Sequence, residues 1–245
     1  TISLNGGVSW TSQYGQPTAE MYHVTVDTRT PYRVYGSQQD NTSISVPSRS
    51  DHGAITRSEW YEVGGGEAGY IAVNPENPDI VYAGEYMGIL TRYDRSTGHA
   101  RLISVWPEEY SGHGAKDYKY RFQWTYPIVI SPHDPRILYV GGNHVFKSAD
   151  EGEHWEPISP DLSWNDPATQ GPSGGPITKD NTGAEVYGTV FALAESPKQP
   201  GLIWAGTDDG RLHVTRDGGE TWTEVTPPDL PERALMSIVE PSPHD

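Results

Sequence analysis

Acidic side chains occur in several short polar loops of this sequence, and each loop follows an apolar run typical of a β-strand. Asp40 lies in QQDN and Asp208 lies in TDDG. Two carboxylates that flank a glycosidic bond can act as general acid and general base, so these two residues are predicted as a catalytic pair. Ordinary turn formation is the alternative, because Asp and Asn side chains also bind turn amides.

Other residues of the same loops are candidates for ligand binding. Carboxylates accept hydrogen bonds from hydroxyl groups, aromatic rings stack on sugar rings, and Arg or His can orient a hydroxyl. For Arg121 and Trp124 the sequence favours packing over ligand contact. The candidate ligand-binding residues are Glu85, Tyr86, Arg121, Trp124, His144, Glu185, Tyr187 and Asp209, and Glu67 belongs to the same set of loop acids.

Oxygen ligands in these loops also suit one metal. Calcium is bound by carboxylates and loop carbonyls, and Asp180, Asp208 and Asp209 lie in loops of that composition. The 9 histidines include no pair at helical i, i+4 spacing with a Glu, which disfavours a transition-metal site. Calcium is therefore the one cofactor that the sequence allows for, and no firm metal site is predicted.

A longer pattern repeats along the chain and predicts the elements that position these loops. Each copy contains an apolar strand, a proline-bearing turn, a second apolar strand that ends in Gly, and a polar turn before a third strand. The copies are spaced roughly 45 to 65 residues apart, which is the range for four-stranded propeller blades with insertions. Clear copies begin at Tyr70, Pro127 and Val190, a weaker copy begins at Tyr22, and MSIVEPSPHD begins another.

An eight-residue motif follows the third strand of some copies, as in SADEGEHW and TRDGGETW, and SLNGGVSW matches it closely. A hydroxyl at the first position and an acid at the third can bind turn amides. Gly at the fifth position supplies a positive φ, and Trp at the eighth can pack between sheets. The motif therefore predicts a structural hairpin rather than a reaction centre. Its residues are Ser3, Asn5, Gly7 and Trp10; Ser148, Asp150, Gly152 and Trp155; and Thr215, Asp217, Gly219 and Trp222.

These motifs resemble the Asp-box (BNR) repeats, S-x-D-x-G-x-x-W, of sialidase-like and sortilin-like β-propellers. Together with YRVYGSQQDN and LIWAGTDDGRLHV, they make nearly the whole chain similar to large bacterial secreted sortilin-type propellers that are often labelled "glycosyl hydrolase". Asn5 and Thr215 depart from the pattern. No Arg-Ile-Pro segment occurs, although sialidases of this kind use one to introduce an arginine triad, so sialidase activity is not expected.

Repeat and resemblance together predict an all-β fold, a β-propeller built of four-stranded antiparallel blades with Asp-box hairpins. We expect a single propeller segment over 1–245, an arc of a larger propeller, because partial blades flank the complete ones. Exposed strand edges would then be covered by the remainder of the propeller or by another subunit. The predicted parts are the end of a preceding blade at 1–19, blades at 20–66, 67–124, 125–187 and 188–235, and the first strand of a next blade at 236–245.

Composition excludes several classes of partner. The net charge of −16 arises from 33 acidic and 17 basic side chains, and such a surface repels nucleic acid and anionic lipid. No apolar run approaches the roughly 20 residues that span a bilayer, so membrane insertion is not expected. With 0 Cys, neither a disulfide framework nor thiolate chemistry is available.

Two functions from different classes stay open, and whether the chain is an enzyme is undecided. The first is a secreted module, extracellular or periplasmic, that binds a peptide, a glycan or a partner domain on its loop face. The second is a glycoside hydrolase fragment that acts on neutral polysaccharide. An enzyme requires two carboxylates that face each other roughly 5–9.5 Å apart, whereas a binding module does not. A third interpretation, a structural filament component, requires strand edges that pair with neighbouring chains.

Overall fold

Short strands separated by turns pair into four antiparallel sheets of four strands each, and every sheet keeps its strands in chain order. This arrangement confirms the predicted all-β propeller of four-stranded blades. The structure is a computed structural model. It describes residues 2–11, 19–174, 177, 179–180 and 182–244, without the side chains of 173–174 and 179–180.

Each blade is a meander in which the first strand lies innermost. Blade 1 consists of β1 Met21–Val26, β2 Arg33–Gln38, β3 Ser43–Pro47 and β4 Tyr61–Glu62, and blade 2 of β5 Ile71–Val73, β6 Ile80–Glu85, β7 Ile89–Asp94 and β8 His99–Leu102. Blade 3 consists of β9 Ile128–Ile130, β10 Leu138–Gly141, β11 Val145–Ser148 and β12 Glu156–Pro157. A separate hairpin joins β13 Ser173–Gly174 and β14 Lys179–Asp180. Blade 4 consists of β15 Val190–Glu195, β16 Ile203–Thr207, β17 Leu212–Thr215 and β18 Thr223–Glu224.

Helical structure is limited to short 3₁₀ turns in the described part of the chain, and none is long or apolar enough to cross a membrane. These turns are Arg57–Glu59, Tyr86–Gly88, Ala115–Asp117 and Pro167–Thr169.

The four blades follow one another through their first strands. The first strands contact one another in succession, β1 with β5, β5 with β9 and β9 with β15. Among the described elements, β15 and β1 do not form a comparable strand-to-strand contact. The segment 236–244, for which the sequence predicts a first strand, pairs with no other strand in the described residues.

Aromatic side chains of the second strands build the cores between blades. Tyr82 of β6 and Tyr139 of β10 each lie two residues before the glycine that ends the strand pattern, and both are buried. Tyr82 packs in a cluster with residues of blade 3, and Tyr139 in a cluster with residues of blade 4. Because large rings bury much apolar area, these contacts hold adjacent blades together.

A polar residue closes the turn after each first strand. Its side-chain oxygen accepts a hydrogen bond from the backbone N–H two positions later, at 3.0–3.2 Å. Asp27 also accepts from the backbone N–H of Arg33 at 2.8 Å. Such Asx and Ser turns reverse the chain without using a ladder hydrogen bond. The five residues are Asp27, Asn74, Ser131, Ser196 and Ser242, which are the positions that the sequence repeat aligns.

Candidate functional site

The eight-residue motifs at 148–155 and 215–222 connect the third and fourth strands of blades 3 and 4. The hydroxyl of the first residue accepts a hydrogen bond from the N–H of the fifth, at 2.8 Å in the former and 3.0 Å in the latter. The carboxylate of the third residue accepts from the N–H of the seventh at 2.9 Å in both. The hydroxyl of the first residue and the carboxylate of the third are therefore engaged within their own hairpin.

The tryptophan of each of these two hairpins packs onto the preceding blade. Trp155 donates from its indole nitrogen to the carbonyl oxygen of Ile103 at 2.8 Å. Trp222 donates in the same way to Ile158 at 2.7 Å. Both rings are half-buried against the inter-blade cores. Trp10, by contrast, is 63% exposed.

The motif carboxylates are stabilised as anions. A hydrogen bond from the His154 side chain lowers the pKa of Asp150 to about 2. The side-chain hydrogen bond of Thr221 holds the pKa of Asp217 far below its ordinary value. A carboxylate that accepts several hydrogen bonds favours its ionised form. At neutral pH both act as acceptors for their turns.

On the opposite face, the loop between β2 and β3 meets the linker that leads into blade 2. The backbone N–H of Asp40, which adopts a positive φ of 53°, donates to Glu67 Oε2 at 2.6 Å. The side-chain amide of Gln39 donates to the same oxygen at 3.2 Å and to Asp40 Oδ1 at 3.1 Å. Asp40 is exposed, so its own carboxylate is open to solvent.

Glu85 ends β6 next to this group and is half-buried. Its carboxyl lies directly against Gly66, where any added Cβ would overlap it. Burial raises the pKa of Glu85, and the nearby charge of Glu67 raises it further. The carboxylates of Glu67 and Glu85 therefore lie close together on the loop face. Glu67, absent from the predicted ligand set, is the residue that links Asp40 to Glu85.

An aromatic surface borders Glu85. Tyr86 opens the 3₁₀ turn after β6, and Trp124 lies in the linker before β9. Their ring centroids are 5.2 Å apart with an interplanar angle of 32°. Both side chains are half-buried, so each ring keeps an exposed part. The structure thus brings together three residues of the predicted ligand set, Glu85, Tyr86 and Trp124.

Asp208 is buried within blade 4. Its Oδ1 accepts hydrogen bonds from the backbone N–H groups of Gly188 at 3.0 Å and Thr189 at 2.8 Å, and its Oδ2 accepts from the Thr189 hydroxyl at 3.0 Å. Burial raises the pKa of Asp208 to about 6 even though these donors favour the anion. The carboxylate of Asp208 therefore binds the linker before β15 to blade 4, and it does not line a surface cleft.

Asp209 is also buried, and it accepts from the Thr207 hydroxyl at 2.6 Å and from the Trp164 backbone at 2.8 Å. Asp208 and Asp209 therefore belong to one group in blade 4, whereas Asp40 belongs to the group at blades 1 and 2. No described contact joins Asp40 to Asp208, so the predicted catalytic pair gains no support from the geometry.

Arg121 and His144 are engaged with the protein itself. Arg121 is only 6% exposed and donates to Asp161 Oδ2 at 2.8 Å and to Ser163 Oγ at 3.0 Å. His144 Nδ1 lies 2.9 Å from the carbonyl oxygen of Ser159. These contacts fit the packing interpretation for Arg121. Asp161, its ion-pair partner, carries no local sequence signal because the pair joins residues that are distant in the chain.

Among the described residues, no contact joins Tyr187 or Glu185 to Tyr86 or Trp124. Tyr187 is half-buried, and its pKa is raised by burial and then by the charges of Asp209 and Asp208. Glu185 is exposed, and the side chain of Asp180 lies outside the described residues. Among the residues that are described, no group of three or more His, Cys, Asp or Glu is arranged to hold a metal ion.

By its fold the chain is a β-propeller of antiparallel four-stranded blades. No family model and no curated protein matches it. Among solved structures it is similar to a GH74 xyloglucanase from Xanthomonas campestris, with 17% identity, a TM-score of 0.44 and coverage of 79% of this chain and 26% of that one. It is also similar to a GH74 enzyme from Niastella koreensis, with 16% identity, a TM-score of 0.49 and coverage of 85% and 30%. The chain spans less than a third of the length of either.

Proposed function

We propose that the chain is a secreted β-propeller binding module whose loop face binds a neutral glycan between blades 2 and 3. The observation that carries the proposal is the half-buried aromatic pair Tyr86 and Trp124, whose ring centroids lie 5.2 Å apart, beside the carboxylate of Glu85. The Asp-box and sortilin-like resemblance of the sequence supports the same role, since propellers of that kind present their ligand sites on the loop face.

Each part of this surface has a partner on a sugar. The apolar face of a pyranose ring packs on an aromatic ring, and its hydroxyl groups donate to carboxylates. Glu85 and Glu67 supply those acceptors next to the rings. The net charge of −16 disfavours an anionic glycan, because like charges repel along the approach.

The other predicted site residues have supporting roles in this proposal. The eight-residue motifs at 148–155 and 215–222 hold adjacent blades together on the face away from the ligand. Asp208, Asp209 and Arg121 fix the linkers of blades 3 and 4 through the buried hydrogen bonds described above. None of them contacts the glycan.

The test measures binding of xyloglucan, mixed-linkage β-glucan and galactomannan to the whole chain by titration calorimetry. We expect Tyr86→Ala to weaken the binding of the preferred polysaccharide roughly tenfold, because a stacked ring is lost. Tyr187→Ala is the matched control, a half-buried tyrosine outside the aromatic surface, and should bind as the wild type does. Equal affinity for Tyr86→Ala, or no binding of any of the three, would disprove the proposal.

Hydrolysis is the second candidate, and the raised pKa of Glu85 beside Glu67 favours it. Two neighbouring carboxylates can act as general acid and general base on a glycosidic bond. We expect Glu85→Gln to abolish release of reducing ends while binding persists, if the chain is an enzyme. If the wild-type chain releases no reducing ends, hydrolysis is excluded and only the binding-module proposal stands. Loss of release in Asp40→Asn or Asp208→Asn, but not in Glu85→Gln, would restore the pair predicted from the sequence.

A further inference from the structure

The segment 236–244 occupies the position of a first strand beside blade 4. The N–H of Met236 donates to the carbonyl oxygen of Thr207 at 3.1 Å. One blade earlier, the N–H of Val190, which begins β15, donates to Gly142 at 2.7 Å. Met236 and Val190 precede their turn serines by the same number of residues. The two hydrogen bonds are therefore equivalent under the repeat.

Packing shows the same equivalence. A Cβ on Gly141 would meet Val190, and a Cβ on Gly206, the same position in blade 4, would meet Met236. Each turn serine, Ser196 and Ser242, accepts an N–H from two residues later, at 3.2 and 3.1 Å. The segment thus follows blade 4 in the register in which β15 follows blade 3.

On the side of blade 4 that faces the segment 236–244, a groove lies where the other blades have a hydrophobic core between neighbours. Tyr139 is 3% exposed because residues of β15 and β16, Val190 and Ile203 among them, pack over it. Trp204 holds the equivalent position in blade 4 and is only half-buried. It lines a groove of about 540 Å³ together with Leu202, Leu212, Ile238, Val239 and Pro241.

The edge of this segment is free for pairing. Among the described residues, no backbone N–H or carbonyl of 237–241 takes part in a hydrogen bond. The side chain of Ile238 is 78% exposed. Unpaired backbone groups next to an apolar groove are a template for an added strand.

We propose that this groove binds an extended β-strand that pairs with 237–241 and covers Trp204. The sequence expected of the bound strand follows from the second strand of blade 4, which covers Tyr139 in the same way. That strand has an aliphatic residue, then any residue, then a small apolar residue and then Gly, as in Ile203–Gly206. In blade 4 itself, Ile203 and Ala205 are the second-strand residues that lie in the core with Tyr139. The added strand supplies the same two side chains to Trp204.

The probe is a fluorescein-labelled synthetic peptide with the sequence of residues 200–209, titrated against the whole chain by fluorescence anisotropy. The control peptide carries Asp at the positions of Ile203 and Ala205. We expect the control to bind roughly tenfold more weakly or not at all, because its charges would face Trp204. Amide exchange of 237–240 should slow when the first peptide is added, since pairing protects those groups.

Variants of the chain locate the site. Ile238→Asp changes an exposed residue and should weaken peptide binding roughly tenfold without unfolding the protein, and Trp204→Ala should do the same. Leu102→Asp, an exposed residue on blade 2, is the matched control and should bind normally. Equal binding of both peptides, or no slowing of exchange in 237–240, would overturn the proposal. The proposal would also be overturned if the chain formed an oligomer that Ile238→Asp dissociates and that does not bind the peptide. A second copy of the chain would then be the occupant of the groove.

Discussion

Two hairpins with the same motif differ in what surrounds them. In 3–10, the N–H of Gly7 donates to Ser3 at 2.7 Å and the N–H of Ser9 donates to Asn5 at 2.9 Å. The hairpin at 148–155 makes the equivalent bonds at 2.8 and 2.9 Å. Only the second hairpin packs its tryptophan on a neighbouring blade, through the bond to Ile103.

The comparison separates the local fold of the motif from its contribution to the propeller. Gly7 and Gly152 adopt φ values of 89° and 90°, so the backbone turns alike in both places. Trp10 is nevertheless 63% exposed, and no described residue accepts a hydrogen bond from its ring. The eight residues thus determine a hairpin, and the preceding blade determines whether the ring is buried.

Replacing the motif tryptophan with alanine should give the largest difference in stability between the hairpins. We expect Trp155→Ala and Trp222→Ala each to lower the free energy of unfolding by about 2 to 3 kcal/mol, because each loses half-buried area and the bond to the preceding blade. Trp10→Ala should leave global stability unchanged. Urea unfolding of the three variants measures this. Equal losses at Trp10 and Trp155 would mean that the two hairpins pack alike.

Adding a methyl group at the motif glycine should have the next largest effect. A Cβ on Gly152 would approach Ile103 Cδ1 to 2.5 Å, whereas a Cβ on Gly7 has no atom nearer than 3.9 Å. Both substitutions incur the positive-φ penalty of roughly 1 kcal/mol. Gly152→Ala adds crowding between blades and should lower the unfolding free energy by about 2 kcal/mol.

Gly7→Ala serves as the control, since its penalty stays within a hairpin that no blade supports. Thermal unfolding should therefore shift for Gly152→Ala alone. A melting temperature that falls for Gly7→Ala as well would show that residues 3–10 belong to the cooperative unit.

The motif carboxylate should give the smallest effect. The pKa of Asp217 is depressed, so its stabilisation is present above the ordinary Asp range near pH 4 and is lost as the pH falls toward the folded value. Asp217→Asn should lower the melting temperature slightly at pH 6 and by less at pH 2. Asn5→Asp should change neither value, because no contact of the described residues joins the hairpin at 3–10 to a blade. A larger effect at pH 2 than at pH 6 would contradict the assigned sign.

The sequence predicted the fold well because the repeat specifies local structure at every copy. The turn residues Asn74, Ser131 and Ser196 bind amides within their own turns, and the alternation of apolar residues sets which face of each strand is buried. The candidate site was predicted only in part. Glu85 and Trp124 were named from composition, but their meeting on one surface depends on how blades 2 and 3 pack.

What the sequence alone determined here is therefore the blade and its hairpins, since hydrogen bonds within a few residues fix them. The tertiary structure decided the rest. It placed Asp208 in a buried hydrogen-bond network, paired Arg121 with Asp161, and left Trp204 half-buried while it buried Tyr139. Such outcomes depend on packing between segments far apart in the chain, and no local pattern encodes those distances.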